Sequence, residues 1–384
     1  MYFVFRAVVI KLKVVLSGDR VVASFVSYPY VIYNEGGQYC NVFKPVLDEF
    51  ENRGIQILYL TGASGDPAFE AGYAHIKCEF IGEDNRAFAR LNLLSADIVL
   101  MTTPGLDVYQ LKRSKMVRHY AHILHSPADA ATYRLFGIDY FDSILLTGDY
   151  QAKDIKTLET MRGLPQKRLV TVGCTYLDVF AKKIKQIPKE ENHPFTVLVS
   201  PSWGPSAILS RYGSKLLDPL VKTGWRIIVR PHPQSKKSEN AMLEKLTERY
   251  KDAANLEWDF ESENIYSLAK SDIMISDFSG IIYDYIFLFN KPVMYVLRGF
   301  DMRPYDADDL GENAIEELWQ FKTLKETCVE LKEEHFDSIA QTIQKMTDSS
   351  ALETARLEAK KTAWAYQGEA GKRVADFMTE IVNG

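Results

Sequence analysis

Short apolar runs alternate with amphipathic stretches along most of this chain. The apolar runs predict strands at residues 21–26, 55–60, 97–101, 116–124, 143–146, 169–172, 196–199, 226–229, 273–276 and 293–297. The stretches between them have helical spacing of apolar residues, at 41–53, 86–94, 152–162, 207–222, 239–250 and 280–289. Strands that alternate with helices are typical of a parallel sheet with crossover helices. The pattern therefore predicts an α/β protein.

A charged segment with two prolines divides this pattern at residues 182–194. Such a segment is typical of a linker between domains. The two halves also resemble each other, because residues 95–105 and 270–280 each run from a helix end through a short apolar strand into a polar loop. We therefore predict two Rossmann-like parallel-sheet domains that face each other across a cleft, followed by C-terminal helices that pack back on the body. The predicted bounds are 1–185, 186–350 and 351–384.

The first residues, 1–15, are apolar but contain the basic residues Arg6, Lys11 and Lys13. No run approaches the ~20 apolar residues that a membrane-spanning helix needs. No small-residue cleavage site follows, so a signal peptide is not expected. Two interpretations stay open, a basic amphipathic segment on a membrane surface and an edge strand or first helix of the fold.

Composition narrows the class of protein. The chain has 384 residues, of which 46% are hydrophobic and 25% charged, and these values exclude a disordered or collagen-like chain. A net charge of −5 offers no basic field for nucleic acid. The cysteines are too widely spaced for a disulfide framework or a C-x-x-C zinc site: Cys40, Cys78, Cys174 and Cys328. We therefore expect a reducing, cytoplasmic compartment.

The strongest candidate site follows the apolar run 273–276. The loop there is small and polar: Ser276, Asp277, Phe278, Ser279 and Gly280. A helix predicted from Gly280 would expose unpaired N–H groups at the positive end of its dipole, where phosphate binds well. The alternative is plain N-capping by Ser279 with no ligand. Asp284, one turn into this helix, can orient a donor hydroxyl or favour the helix N-terminus.

A second candidate site, Arg230-Pro231-His232-Pro233, follows the apolar run 226–229. The two prolines restrict the backbone around His232 and prevent a helix from starting there. A loop this stiff holds its side chains in place. We predict that His232 and Arg230 point into the cleft as donors to a phosphate.

Three histidines lie in or just after the run 116–124, namely His119, His122 and His125. His125 falls at the strand end, and we interpret it as a general base, because an unperturbed pKa near ~6.5 suits proton transfer from a hydroxyl. Metal binding by His119 and His125 is the alternative, although no carboxylate pattern accompanies them. We interpret His119 as a solvated edge residue and His122 as a hydrogen-bonded core residue.

Other loops add weaker candidates. Gly36 and Gly37 permit close approach of an acceptor or donor but lack the G-x-G-x-x-G spacing. Ser202 and Trp203 follow the first strand of the second domain, where Trp203 either stacks on a base or packs. The acidic loop 306–309 is interpreted as solvated. No P-loop, G-x-S-x-G or H-E-x-x-H motif occurs, and we expect no metal and no cofactor.

Several of these segments together resemble the CDP-glycerol glycerophosphotransferases of teichoic acid synthesis. The resemblance rests on Arg230-Pro231-His232-Pro233, residues 276–285, Asn290-Lys291-Pro292-Val293, residues 172–178 and residues 367–374. It extends from about residue 115 to the end, and it is specific in the second domain and loose in the first.

The resemblance implies a glycosyltransferase-B architecture, with the acceptor-side domain first and the nucleotide-donor domain second. It implies transfer of glycerol phosphate, or a related polyol phosphate, from a CDP-linked donor to a hydroxyl of a cell-surface polymer or its lipid-linked precursor, with release of CMP. It assigns His125 as the base and His232, Ser276 and Ser279 to the donor's phosphates. Our candidate catalytic residues are thus His125 and His232. The candidate substrate-binding residues are Arg230, Ser276, Asp277, Ser279, Gly280, Asp284, Gly36, Gly37, Ser202 and Trp203.

The chain departs from this family at two points. Leu124-His125-Ser126-Pro127 stands where the family usually has Trp-His-Gly-Thr, and Gly280 stands where a second serine is often found. Two alternatives therefore stay open, a sugar-nucleotide-dependent glycosyltransferase of the same architecture and a non-catalytic nucleotide-binding member. A lipid-linked acceptor would bring the protein to the inner face of the plasma membrane.

Overall fold

The protein is described here from a computed structural model. The structure describes residues 13–17, 20–24, 27–188, 193–261, 263–296, 301–311, 314–347 and 349–384. The strands are β1 (Lys13–Ser17), β2 (Arg20–Ser24), β3 (Tyr28–Asn34), β4 (Ile57–Thr61), β5 (Ile76–Phe80), β6 (Ala96–Met101), β7 (Val117–Ile123), β8 (Ser143–Leu146), β9 (Arg168–Thr171), β10 (Thr196–Val199), β11 (Arg226–Val229), β12 (Leu256–Trp258), β13 (Ile273–Ser276), β14 (Val293–Tyr295) and β15 (Val329–Glu330).

Helices connect most of these strands. They are α1 (Cys40–Asn52), α2 (Asp84–Leu91), α3 (Ala152–Arg162), α4 (Thr175–Ile184), α5 (Ile208–Tyr212), α6 (Ser214–Lys222), α7 (Ser235–Ser238), α8 (Asn240–Arg249), α9 (Ile265–Lys270), α10 (Ile281–Phe289), α11 (Ala314–Glu317), α12 (Trp319–Thr327), α13 (Ile339–Thr347), α14 (Ser350–Ala363) and α15 (Ala370–Asn383). The predicted helix 207–222 is wrong in one respect. Gly213, with φ 43° and ψ −116°, ends α5 and separates it from α6.

Two parallel sheets form the body of the described chain. The N-terminal sheet has the order β5-β4-β3-β6-β7-β8-β9, and the C-terminal sheet has the order β12-β11-β10-β13-β14-β15. In each sheet the strand order reverses beside the first strand, between β3 and β6 and between β10 and β13. This is the Rossmann order, in which ligands bind outside the carboxyl ends of the strands at the point of reversal. Because both sheets have this order, the predicted architecture of two Rossmann-like domains is confirmed.

The central strands are buried on both faces, which explains their continuous apolar sequences. In β3, Val31 and Tyr33 face a core that includes α2 and α3, whereas Tyr30 and Ile32 face a core that includes α1 and α15. Burial of each such side chain contributes about 1.5–3 kcal/mol. The same alternation occurs in β10 of the other sheet, where Val197 and Val199 belong to one hydrophobic core and Leu198 belongs to another.

The N-terminal hairpin of β1 and β2 forms a separate antiparallel pair. It includes the predicted strand 21–26 in part, since residues 25 and 26 lie outside the described residues. Most of the predicted amphipathic segment 1–15 also lies outside them. Among the helices that the structure describes, none has the length and hydrophobicity to cross a membrane.

The segment predicted as a linker, 182–194, begins inside α4, and the two sheets draw their strands from either side of it. The boundary near residue 185 stays a prediction. The tail helices pack back on the body as expected. Helix α14 packs on α10 and α12 beside the C-terminal sheet, and α15 packs on α1 and α4 beside the N-terminal sheet.

Asp178 in α4 holds the turn between the two tail helices. Its carboxylate accepts hydrogen bonds from the Trp364 indole N–H at 2.8 Å and from the backbone N–H groups of Gly368 at 2.7 Å and Ala370 at 3.1 Å. The sequence motif at 367–374 is therefore a structural joint between the tail and α4.

Gly371 sets how closely α15 approaches α1. A Cβ at this position would lie 2.4 Å from the carbonyl oxygen of Pro45 in α1. We expect Gly371→Ala to destabilise the fold by about 1–3 kcal/mol, because two backbones must separate. The measurement is thermal unfolding. Gly65→Ala is the matched control, since a Cβ there meets nothing within 4 Å, and an equal loss in both variants would contradict the argument.

Candidate active site

The candidate residues of the C-terminal half lie in three loops at one edge of its sheet. These loops follow β10, β11 and β13, which are neighbours in the order β11-β10-β13. Parallel strands are ~4.8 Å apart, so the loop after β11 and the loop after β13 begin roughly 10 Å apart. The fold thus places the two sequence motifs on either side of the loop after β10.

The His232 loop is held in a fixed shape by its own backbone. Nδ1 of His232 accepts a hydrogen bond from the N–H of Gln234 at 3.1 Å, and the His232 carbonyl accepts one from the N–H of Ser235 at 2.9 Å. Because Nδ1 is an acceptor here, the neutral ring carries its proton on Nε2. The side chain is half-buried, and burial lowers its pKa although Glu239 acts in the opposite direction. Nε2–H is therefore a positioned donor.

Arg230 is buried at the start of the same loop. Its guanidinium donates to Asp259 Oδ2 at 2.5 Å and to the Glu261 carbonyl at 2.7 Å. These bonds tie the loop after β11 to the segment after β12. The structure therefore places the Arg230 charge inside an ion pair, where it stiffens the His232 loop.

Two side chains of the loop after β13 tie it to the loop after β10. The Ser276 hydroxyl donates to the Ser200 carbonyl at 2.6 Å. The Asp277 carboxylate accepts from the backbone N–H groups of Ser202 at 2.9 Å and Ile208 at 3.0 Å. Ser276, Asp277 and Ser202 are all buried. The side chains of Ser276 and Asp277 and the backbone of Ser202 thus have internal roles in shaping the loops.

The start of α10 remains accessible. Ser279 is partly exposed and Gly280 is exposed. A Cβ built on Gly280 meets nothing within 4 Å, so open space lies beside the helix N-terminus. The first turn of a helix has backbone N–H groups without intrahelical partners, and these attract anions. Ser279 and Gly280 are therefore the parts of this motif that face a potential ligand.

Asp284 lies further inside, where it joins the two halves. It accepts a hydrogen bond from the Tyr176 hydroxyl of α4, and burial raises the pKa of Asp284 to about 7. The structure thus gives Asp284 an internal bond, and its contact with a ligand stays a prediction.

Trp203, in the loop after β10, is 48% exposed, and its ring centroid lies 6.4 Å from that of His232.

His125 lies past the end of β7, in the loop of the N-terminal half that faces the cleft. Its Nδ1 lies 3.0 Å from Thr102 Oγ1 and 3.0 Å from the Tyr133 hydroxyl, and its ring packs on Tyr39 at 4.9 Å between centroids. Burial lowers the His125 pKa to about 4, which corrects the expected value near 6.5. In the tautomer whose Nδ1–H donates to one of these hydroxyl oxygens, Nε2 is the proton acceptor.

His122 differs from its sequence interpretation. Its ring packs against Tyr133 and Phe141, at 5.1 and 4.9 Å between centroids, and it is fully buried as predicted. Neither ring nitrogen has a hydrogen-bond partner in the described part of the chain, so the expected hydrogen bond is wrong. Burial lowers the His122 pKa to about 3. His119, interpreted as solvated, is partly buried and lies 2.8 Å from Ser143 Oγ.

His122 should make the protein sensitive to acid. Below pH 6.5 the unfolded chain binds a proton at this residue and the folded chain does not, so stability falls from pH 6.5 towards about 3. The free energy of unfolding of the wild type should fall between pH 7.5 and pH 5, and we expect His122→Leu to reduce this fall by about 2 kcal/mol. The acid-induced fall in the thermal midpoint should shrink by roughly 3–6 °C. Equal falls in variant and wild type would contradict the assignment.

The two halves meet beside the His125 loop. Asp129 accepts from the backbone N–H groups of Trp319 at 3.0 Å and Gln320 at 2.7 Å, at the start of α12. The backbone carbonyl of Gln320 in turn accepts a hydrogen bond from the Tyr283 hydroxyl of α10 at 2.6 Å. The His125 loop and the phosphate-suited helix α10 are therefore connected through one shared element.

A second contact between the halves corrects the interpretation of the acidic loop 306–309. Asp306 is fully buried rather than solvated. It accepts from the Phe136 N–H at 2.7 Å and from Arg162 Nη2 at 2.8 Å. Arg162 also pairs with Asp139 at 2.8 Å, so a buried ion cluster links α3 to the segment before α11.

Gly36 and Gly37 line a cavity of about 380 Å³ at the carboxyl ends of β3 and β4. Sequence analysis gave no role to Glu35, which lies in the same wall, and did not identify the hydroxyl partners Thr102 and Tyr133 of His125. A signal for Glu35 was present, since it directly follows β3 at the point of strand reversal.

Two facing Rossmann-like sheets, with candidate ligand loops at both points of reversal, define a glycosyltransferase-B architecture. Residues 188–377 match the family model for CDP-glycerol:poly(glycerophosphate) glycerophosphotransferases. The chain belongs to this family and is a transferase of the CDP-glycerol glycerophosphotransferase type. Among proteins with curated functions, none matches its sequence.

Solved structures with the same fold include proteins of different activities. The wall teichoic acid polymerase TagF is 13% identical, with a TM-score of 0.57 over 92% of this chain and 89% of that chain. The S. aureus MnaA–UDP structure is 13% identical, with a TM-score of 0.59 over 92% and 97%. The UDP-GlcNAc 2-epimerase of Methanocaldococcus jannaschii is 12% identical, with a TM-score of 0.57 over 91% and 99%. At such identities these likenesses establish the fold.

Proposed function

We propose that this transferase moves glycerol phosphate from CDP-glycerol to a hydroxyl of a cell-surface polymer or its lipid-linked precursor, and releases CMP. The observation that carries the proposal is the pairing of His232, with Nε2–H as a positioned donor, and the accessible N-terminus of α10 at one sheet edge. Both suit a diphosphate, and the family model covers both motifs.

The donor's phosphates are assigned to His232, Ser279 and the N–H groups at Gly280. Arg230, Ser276, Asp277 and Asp284 support this site from within, through the internal bonds described above. Ser202 shapes the loop after β10, and Trp203 presents an exposed ring for the nucleoside. Positioning and neutralisation of charge are the main contributions of a protein to phosphoryl transfer.

The acceptor binds on the side of the N-terminal sheet. Its hydroxyl oxygen forms a bond to the β-phosphorus of CDP-glycerol, and the bond from that phosphorus to the bridging oxygen breaks. CMP leaves with the bridging oxygen, and the hydroxyl proton moves to Nε2 of His125. A lipid-linked acceptor would place the protein at the inner face of the plasma membrane.

The test is release of CMP from CDP-glycerol by the purified chain with an oligo(glycerol phosphate) acceptor. Thermal shift with CDP-glycerol, CMP and UDP-sugars supplies the binding comparison. Stabilisation by cytidine nucleotides together with acceptor-dependent CMP release is the expected result. Stabilisation by UDP-sugars alone would favour a sugar-nucleotide glycosyltransferase, and tight CDP-glycerol binding without CMP release would favour a non-catalytic member.

A further inference from the structure

The cavity beside Gly36 and Gly37 lies at the point of strand reversal in the N-terminal sheet. Its lining includes Glu35, Gly36, Gly37, Gly62, Glu83 and Asp84. A Cβ on Gly62 would lie 2.4 Å from the Glu35 carbonyl, so the glycine allows the loops after β3 and β4 to come together. The cavity is therefore a built feature of this sheet edge.

Its volume of about 380 Å³ lies within the ~300–1,000 Å³ of small-ligand pockets, at the lower end, so a small polyol or one sugar unit fits. The charged side chains of the lining are acidic, namely Glu35, Glu83 and Asp84, and no basic side chain lines the cavity in the described part of the chain. Such a wall repels a phosphate and accepts hydrogen bonds from hydroxyl groups.

The loop after β3 connects this cavity to the His125 cluster. Gln38 lines the cavity, and the next residue, Tyr39, packs on the His125 ring at 4.9 Å between centroids. Burial raises the pKa of Tyr39, and the partly buried Glu35 in the same loop adds to the effect. A unit bound in this cavity therefore lies near the predicted base.

Thr103 is a buried neighbour of Glu35. It is only 4% exposed. Burial raises the pKa of Glu35, and the Thr103 hydroxyl beside the carboxylate acts in the opposite direction.

We propose that this cavity receives the uncharged, hydroxyl-bearing end of the acceptor and that Glu35 accepts a hydrogen bond from it. The inference rests on the proposed function and adds a specificity. The acidic wall selects a free polyol terminus and excludes one that ends in a phosphate monoester. It also keeps the diphosphate of the donor on the opposite side of the cleft. Glu35 is thus a positioning residue for the acceptor.

The experiment uses two oligomers, an oligo(glycerol phosphate) with a free terminal glycerol as the acceptor, and the same oligomer ending in a phosphate monoester as a competitor that has no terminal hydroxyl to react. We expect the wild type to release CMP with the first and to be inhibited only weakly by the second. Glu35→Gln should raise KM for the first acceptor about 10–100-fold, because a hydrogen bond to a charge is lost. CDP-glycerol binding should stay unchanged, and the phosphate-ended oligomer should inhibit the variant more strongly than the wild type, because part of the repulsion of its phosphate is removed.

Two further variants keep the result interpretable. Glu70→Gln changes an exposed carboxylate outside the cavity and should behave as the wild type. Gly37→Leu leaves Glu35 in place and fills the cavity, since a Cβ there meets nothing within 4 Å, and it should also raise KM for the acceptor. If CMP release is normal and both cavity variants keep the wild-type KM, the inference fails while the proposed function stands. Absence of both CMP release and CDP-glycerol binding in the wild type would instead overturn the proposed function.

Discussion

Replacing His232 with asparagine is expected to slow CMP release from CDP-glycerol by about 10²–10³-fold, the usual effect of removing one positioned donor to a reacting group. The side-chain oxygen of asparagine can still accept the hydrogen bond from the Gln234 N–H, so the loop keeps its shape. It lacks the distal N–H that the imidazole carries on Nε2. Affinity for CDP-glycerol should fall about 10–100-fold, because a hydrogen bond to a charged phosphate is lost.

Two companion variants separate this role from folding. His232→Gln places an amide near the position of Nε2 and should recover part of the activity. His193→Asn changes a histidine that precedes β10, at the amino ends of the strands of the same sheet, and this variant should be active. CMP release by His232→Asn at the wild-type rate, with wild-type affinity for CDP-glycerol, would remove His232 from the donor site.

Replacing His125 with glutamine is expected to lower kcat by about 10²–10⁴-fold, the usual contribution of a general base. Binding of CDP-glycerol should be unchanged, because His125 belongs to the loops of the other sheet. Steady-state rates of CMP release and calorimetric titration with CDP-glycerol measure the two quantities separately. His75→Gln is the control, since His75 lies before β5 at the amino ends of the strands, away from the cleft.

The pH dependence supplies a second check on His125. A general base works when it is unprotonated, so activity is lost as the pH falls through its pKa. Since burial lowers that pKa to about 4, initial rates at pH 5.5 should remain close to those at pH 7. A fall centred near 6.5 that disappears in His125→Gln would show that His125 is more exposed to solvent than the structure has it.

The strands that sequence analysis predicted best are those buried on both faces. Ser143–Leu146, Thr196–Val199, Arg226–Val229 and Ile273–Ser276 have the predicted bounds, because a parallel strand between two layers of helices needs an unbroken apolar run. The central strand β3 and the hairpin strand β1 were missed, and so were the edge strands β5, β12 and β15. These edge strands are partly exposed, so their residues carry no continuous apolar pattern.

In the candidate site, the short local motifs could be predicted from the sequence and the long-range contacts could not. His232 and the loop before α10 were identifiable, because each is a short motif directly after a buried strand. The partners of these residues were not, since Arg230 pairs with Asp259 and Asp284 with Tyr176 across long stretches of chain. The exposed helix start, the unpartnered His122 ring and the position of Glu35 beside the His125 cluster likewise depend on packing.

The amino-acid sequence by itself determined the alternation of strands and helices, the two Rossmann-like halves and the motifs that identify the family, because these depend on local periodicity and on residues close together in the chain. The tertiary structure alone decided which side chains of those motifs face a ligand and which are bonded internally. It also decided how far burial shifts the histidine pKa values and that an acidic cavity adjoins the predicted base. Those properties arise from residues far apart in sequence, whose contacts and loss of solvent exist only in the folded chain.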